Sequence, residues 1–309
     1  MKLALNFKND TQKIMFEVLI SLLPAILYKL YIFGRLGALS LITLTVVALT
    51  TEKSLSKLLK IKSDLGDYTS LITAVLLFLA LNCNMHAFIY IVASFIAVGL
   101  GKIVYGGFAK NIFNPAMVGW CFVMISFPQY MTKHVDYNSS INFIESLRVF
   151  FSFYNIDSLT QATPLTQYKH DNSVFEANCM LATLNILTLI GGLYLIAKRV
   201  ISYIFPLFMS LGVILALFVF NYDIIQASKL FFLYGPIILA AFYIITDPVS
   251  SPSLAKSQMV YSFAIGFISI LIAKLGAFPV GVAFAVLLMN SFNFILDKAF
   301  NKGVKYETK

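Results

Sequence analysis

The chain contains 309 residues, of which 59% are hydrophobic and only 12% are charged. Soluble domains typically carry about 25% charged residues, so this composition excludes a soluble globular protein and predicts a protein integral to the membrane. The formal net charge of +9 does not indicate a nucleic-acid partner, because the Lys and Arg residues are scattered at the ends of apolar segments and form no basic stripe.

Ten apolar segments approach the length of about 20 residues that a membrane-spanning helix needs. They predict an all-α polytopic membrane protein with about ten transmembrane helices. The N-terminal stretch before them is polar and basic, has no cleavage pattern and is expected to be retained. The predicted spans are 14–33, 37–51, 68–81, 87–105, 113–131, 180–197, 201–220, 230–246, 259–273 and 278–296.

The spans fall into two groups of five. Residues 1–131 form the first predicted membrane half, 132–178 a polar loop, and 179–309 the second half. Because five is odd, related halves would be inverted relative to each other, a plan that recurs in transporters. Sixteen Lys and Arg residues lie on the side of the termini and seven on the other. The positive-inside bias therefore predicts cytoplasmic termini and an outward-facing 132–178 loop.

Two polar stretches at span boundaries are candidates for chemistry. The first contains Asn111 and Asn114 beside glycines and a proline, and the second places Asp247 between Thr246 and Pro248. Irregular backbone and charge at membrane depth are tolerated mainly where they line a cavity or serve a function. Each stretch is therefore either a capped turn at the membrane surface or the lining of a cavity or ion path, and the pattern leaves both interpretations open.

The remaining charged residues inside apolar segments favour ordinary roles. Lys29 and Lys102 are predicted to extend their ammonium groups to the membrane surface, and Glu17 is expected at the interface. The three cysteines are too far apart in the sequence to predict a metal centre. No nucleotide-binding glycine motif is visible, so the chain itself is not expected to bind NADH or ATP.

The polar loop presents one accessible threonine. Thr163 precedes Pro164, which favours an extended backbone and prevents a helix, so the hydroxyl is available to a modifying enzyme. The surrounding residues resemble the flavinylation motif of the D subunit in Rnf electron-transport complexes and of the B subunit in sodium-pumping NADH:quinone reductases. Gln161 departs from the glycine often found in that motif. The resemblance rests on Asp157, Thr160, Ala162 and Thr163.

The resemblance to the Rnf D subunit extends over nearly the whole chain in the same order. Two departures stand out: Val280 replaces an acidic residue common in the family, and Asn82 begins a turn that is usually rich in proline. The first departure would bear on ion coupling if that acidic group takes part in ion movement. The matching stretches are 11–15, 23–24, 67–73, 105–117, 125–128, 246–249 and 281–290.

This resemblance implies a function and a set of partners. It implies FMN attached to Thr163 through a phosphoester, with Asp157, Thr160 and Ala162 recognised by a flavin transferase. The chain would then be a multi-pass component of an ion-translocating oxidoreductase complex in the bacterial inner membrane, working with other membrane and redox subunits to move Na⁺ or H⁺. Whether a second, non-covalent flavin or a quinone lies among the helices stays open.

Two alternatives compete with this interpretation. The chain also resembles the quinone-reductase B subunit, but only a short tail precedes its first span, which favours the D subunit. A passive channel or transporter for a small polar solute would use the same helical plan without a flavin. A covalently bound flavin would distinguish these two classes.

Overall fold

A computed structural model shows a protein built almost entirely of helices. It describes residues 7–61, 65–131, 133–135, 143–151, 160–162, 179–223, 227–228, 231–232, 235–276 and 281–301. Helices α1 to α11 are, in order, Phe7–Leu58, Thr69–Ala80, Ala87–Val98, Pro115–Ser126, Pro128–Met131, Phe143–Phe151, Cys179–Ala197, Ile204–Val219, Ile237–Leu239, Ala255–Leu275 and Val282–Phe300, and strands β1 and β2 are Lys133–Val135 and Thr160–Ala162.

The first two predicted spans are two arms of α1. The backbone of Gly34 leaves helical geometry with φ 49° and ψ −122°. Glycine adopts a positive φ at little cost because it has no Cβ atom, so this residue lets the chain bend while both arms stay helical. The predicted boundary between the two spans falls at this point.

Two helices continue into π-helical turns. α3 runs on into Gly99–Ile103, and α9 runs on into Ala240–Ile244. Such turns are rare and occur frequently at functional sites, because the wider winding changes the direction of nearby side chains. The two turns belong to different predicted halves of the chain.

The helices confirm the predicted all-α membrane class. Among the described residues, four helices are long and apolar enough by themselves to cross a membrane: Thr11–Leu58, Met180–Ala197, Ala255–Leu275 and Val282–Phe300. Shorter apolar helices match other predicted spans, namely Thr69–Ala80, Ala87–Ile103, Pro115–Ser126 and Ile204–Val219.

Close packing joins the helices within and between the halves. α8 and α10 cross so tightly that a Cβ atom on Gly212 would overlap the carbonyl of Phe263, and one on Gly266 would overlap that of Met209. Small residues at such crossings let membrane helices approach closely. Between the halves, α1 packs on α7 and α4 packs on α11.

The polar loop contributes a small two-stranded sheet. β1 and β2 pair antiparallel, with Lys133 opposite Ala162 and Val135 opposite Thr160. β1 follows closely after α5 and contacts it. The pairing therefore fixes the backbone of residues 160–162 near the end of α4 and α5.

Candidate functional site

A cavity of about 150 Å³ lies at one end of the helical bundle. The N-terminal part of α1, the first two turns of α2, the start of α4, the end of α7, and both π-helical turns with the loops after them form its wall. These element ends are the ones that charge counting assigns to the cytoplasmic side. The cavity thus brings both predicted halves together, while its side of the membrane stays a prediction.

Part of the cavity wall is apolar. Ile72 and Leu76 from α2 line it together with the aromatic rings of Phe108, Phe242 and Tyr243. Pockets that bind small molecules commonly combine an apolar lining with a few well-placed polar groups. The polar groups at this cavity include one ammonium, one carboxylate and two amides.

The ammonium belongs to Lys102 in the first π-helical turn. Its Nζ donates to Glu52 Oε1 at 2.7 Å, to Thr69 Oγ1 at 2.5 Å and to Ser70 Oγ at 3.1 Å. Only 2% of Lys102 and 1% of Glu52 is exposed. Since a lone buried charge costs several kcal/mol, the carboxylate is what makes this ammonium tolerable at such depth. The prediction that Lys102 extends to the surface is wrong.

The carboxylate belongs to Asp247, directly after the second π-helical region. Its Oδ2 accepts from Ser250 Oγ at 2.7 Å, and its backbone carbonyl accepts from Ser251 Oγ at 2.7 Å. Burial raises the pKa of this carboxyl above its usual range, although hydrogen bonds from Ser250 and Val249 act in the opposite direction. A carboxylate on a cavity wall with restricted access to bulk water is suited to hold a proton or a small cation.

The two amides are Asn111 and Asn114, both nearly buried. Asn111 Nδ2 donates to the Phe113 carbonyl at 3.0 Å. Asn114 caps α4, since its Oδ1 accepts from the backbone N–H of Met117 at 3.3 Å, while its Nδ2 donates to the Ile244 carbonyl at 3.1 Å. Both side chains also line the cavity. The two interpretations of this stretch, a helix cap and a cavity wall, therefore apply together.

The predicted flavin-attachment motif lies only partly within the described residues. Thr160 and Ala162 lie in β2, whereas Asp157 and Thr163 lie outside the described residues, as does Val280. The cavity borders the first residues of α4, and the two-stranded sheet follows the opposite end of this 12-residue helix. At about 1.5 Å per residue α4 spans about 18 Å, so the motif strand and the cavity lie at opposite ends of the bundle.

A second buried lysine lies at the end of α2 away from the cavity. Lys29 Nζ donates to the carbonyls of Phe78, Leu79 and Leu81 at 2.6, 3.1 and 2.8 Å. It also lies 5.0 Å from the centroid of the Phe78 ring. Only 4% of Lys29 is exposed, so the prediction that it extends to the surface is wrong as well. The free carbonyls at the end of α2 supply partners that a lipid-facing lysine would lack.

Other predicted positions have structural partners. Glu17 accepts from the Tyr194 hydroxyl at 2.6 Å, which ties α1 to α7. Asn82, at the turn that departs from the family pattern, donates to the carbonyls of Tyr130 and Met131 at 3.2 and 3.1 Å. The Asn82 amide therefore ties this turn to α5. A proline at the same position would have no side-chain donor to make these bonds.

Sequence reasoning missed two residues of the cavity region as chemical candidates. Glu52 lies near the end of the second arm of α1, which continues into a basic linker. Its buried partner, Lys102, is 50 residues away along the chain. Asn290 is 2% exposed in the middle of α11. Asn290 follows an unbroken apolar run from Val282 to Met289, and an amide at that position is a signal that could have identified it, because such a group must find hydrogen-bond partners inside the protein.

These features define a multi-pass helical membrane protein in which charged and amide side chains from both predicted halves converge on an internal cavity. Comparison with known proteins identifies the family. The NQR2, RnfD, RnfE family matches residues 4–305, and the chain belongs to it.

Several curated relatives match over most of their length. The D subunit from the ion-translocating oxidoreductase complex of Buchnera aphidicola is 32% identical, covering 93% of this chain and 92% of that protein. The corresponding D subunit from Actinobacillus succinogenes is 35% identical, covering 93% and 92%. The D subunit from the Na(+)-translocating ferredoxin:NAD(+) oxidoreductase complex of Acetobacterium woodii is 32% identical, covering 98% and 93%.

Proposed function

We propose that the chain is the D subunit in an Rnf-type ion-translocating oxidoreductase complex, and that it carries FMN on Thr163. The observation that carries the proposal is the match, along more than nine-tenths of the chain, to relatives named as the D subunit in such complexes. The quinone-reductase B subunit is the nearest alternative within the same family.

The described part of the attachment motif is compatible with a tethered cofactor. β2 is held by backbone pairing to β1 and leads directly into Thr163. A flavin transferase would read Asp157, Thr160 and Ala162 and join the FMN phosphate to the Thr163 hydroxyl. FMN supplies electron-transfer chemistry when bound, and the chain would tether it through the Thr163 hydroxyl.

The cavity at the other end of the bundle would serve ion movement. Asp247 offers a carboxylate, and Asn111 and Asn114 add amide groups on the same wall. Because the charge of Lys102 is matched by Glu52 at 2.7 Å, it does not cancel the attraction of Asp247 for a cation. Electron transfer through neighbouring redox proteins of the complex would then bias Na⁺ or H⁺ movement past this carboxylate.

The first test is for the covalent flavin. The chain is co-expressed with a flavin transferase, denatured and separated on a gel, and its flavin fluorescence is measured for the wild type, Thr163→Ala and Thr166→Ala. We expect fluorescence in the wild type and in Thr166→Ala, which serves as the matched control in the same loop. Thr163→Ala should be dark.

A dark wild-type band would contradict the flavin proposal. A passive solute channel has no use for a covalent flavin, so that result would favour the channel alternative. Fluorescence that persists in Thr163→Ala would instead move the attachment to another residue.

A further inference from the structure

A closed ring of hydrogen bonds surrounds the Asp247 turn. Ser250 Oγ donates to Asp247 Oδ2 at 2.7 Å, and the Ser250 carbonyl accepts from Asn290 Nδ2 at 2.8 Å. Asn290 Oδ1 accepts from the backbone N–H of Asn114 at 3.2 Å. Asn114 Nδ2 donates to the Ile244 carbonyl at 3.1 Å, and the N–H of Asp247 donates to the same carbonyl at 3.4 Å. These five residues are called the Asp247 ring.

The Asp247 ring joins the two predicted halves of the chain. Asn114 comes from the start of α4 in the first half, and the other four members come from the second half. Asn114, Ser250, Asn290 and Ile244 are each at most 3% exposed. A buried donor or acceptor that loses its partner is costly to leave unsatisfied, so each bond restrains its neighbours.

Asn290 is the central connection of the ring. Its amide oxygen accepts from the start of α4. Its amide nitrogen donates to the Ser250 carbonyl and to the Tyr261 hydroxyl, both at 2.8 Å. Only this orientation gives a donor to the Ser250 carbonyl and an acceptor to the Asn114 N–H. Tyr261 is fully buried and interacts electrostatically with Asp247. Asn290 therefore touches both the turn that carries the carboxylate and the helix start across from it.

We propose that Asn290 is a positioning residue that links the charge of Asp247 to the start of α4, so that a cation or proton bound at Asp247 alters the contact between the two halves. This inference rests on the proposed ion-translocating function and names its coupling element. It assigns to Asn290 a role in holding the carboxylate and none in binding the cation.

The link follows from competition for the oxygens of Asp247. A bound cation or proton uses lone pairs that otherwise accept from the Ser250 hydroxyl, so the Ser250 bond weakens when the site is filled. Ser250 then holds its position less firmly, and its carbonyl is the acceptor for Asn290. By linkage, a change at the Asn114 end of the ring must alter the affinity of Asp247 by the same free energy.

The test is an infrared titration of the Asp247 carboxyl in the purified complex, identified by subtracting the spectrum of Asp247→Asn. The variants are Asn290→Ala, Ser250→Ala and Asn185→Ala. Ser250→Ala removes the direct donor and serves as the positive control. Asn185 also donates its amide to a backbone carbonyl, that of Gly235 at 3.0 Å, but lies outside the ring and is the matched negative control.

We expect Asn290→Ala to move the midpoint upward by about one pH unit, a tenfold change that corresponds to about 1.4 kcal/mol. The direction follows because the Ser250 hydroxyl favours the ionised carboxyl and is no longer held in place. Ser250→Ala should move the midpoint in the same direction, and Asn185→Ala should leave it unchanged. A folded Asn290→Ala complex with the wild-type midpoint would overturn the proposal.

A second variant covers the case in which Asn290→Ala does not fold. Asn114→Ser keeps a residue that caps helices well but loses the amide donor to Ile244, so it opens the ring at its other side. It should raise the midpoint too, and an unchanged midpoint would contradict the proposal. Cation uptake by wild-type proteoliposomes is measured separately. Its absence would reject the proposed function, whereas the titration still reports on Asn290.

Discussion

The two ends of α2 show two ways of burying a lysine. At its start, Lys102 meets the side chains of Thr69, Ser70 and Glu52, and at its end Lys29 meets three backbone carbonyls. The helix dipole explains the difference. A helix C-terminus attracts a cation through its unpaired carbonyls, whereas a helix N-terminus repels one. Lys102 therefore needs a carboxylate, and Lys29 has a full set of acceptors without one.

The comparison also separates the roles of the two ends. Lys102 lies on the wall of the cavity, and the buried carboxylate of Glu52 matches its charge at 2.7 Å. Lys29 uses its three donors on the end of α2 and lies away from the cavity. We infer that an ion pair stabilises the buried lysine at the cavity end of α2. At the opposite end, the carbonyls of the helix C-terminus stabilise the other buried lysine.

The largest expected effect comes from removing the carboxylate of the ion pair. Glu52→Gln leaves the Lys102 ammonium buried beside a helix N-terminus with only neutral partners. Because an uncompensated buried charge is costly, the free energy of unfolding should fall by about 3–5 kcal/mol. Thermal unfolding of the purified protein in detergent measures this loss.

The control for Glu52→Gln is the double variant Glu52→Gln/Lys102→Met. Removing both charges abolishes the unpaired ammonium, so most of the lost stability should return. If the double variant is as unstable as Glu52→Gln, shape and not charge dominates this site, and the contrast between the two ends of α2 fails.

The sequence predicted the elements better than the contacts between them. Apolar length located the apolar helices, and Asn111, Asn114 and Asp247 line one cavity, while their part in an ion path stays a prediction. The burial of Lys29 and Lys102 escaped prediction because their partners are about 50 residues away along the chain. The bond between Asn114 and Asn290 spans 176 residues. Local patterns reveal that a group is polar and enclosed, but only the folded chain shows which group satisfies it.

A smaller effect is expected at the other end of α2. Lys29→Met removes the ammonium but leaves no buried charge behind, since the three carbonyl partners are neutral. The free energy of unfolding should fall by about 1–3 kcal/mol, which is the cost of leaving buried acceptors without donors. Thermal unfolding again measures it, with Lys274→Met as a control because Lys274 lies over the Tyr222 ring and is not part of the α2 contacts.

This result would sharpen the comparison. If Lys29→Met lowers the free energy of unfolding as much as Glu52→Gln does, the carbonyl contacts stabilise α2 as strongly as the ion pair. No loss at all would show that the carbonyls find other donors and that Lys29 does not stabilise the helix end.

The smallest effect is expected at Asp67, just before α2. Its Oδ1 accepts from the backbone N–H of Thr69 at 2.9 Å and from the Thr69 hydroxyl at 2.6 Å. A carboxylate at this position satisfies a free N–H and favours the positive end of the helix. It also orients the hydroxyl that accepts from Lys102. Asp67→Ala should therefore cost about 1 kcal/mol, as for loss of a typical N-cap, and should cost less in a Lys102→Met background, where that hydroxyl has no ammonium to meet. Equal losses in the two backgrounds would mean that Asp67 acts on the helix alone and is independent of the buried ion pair.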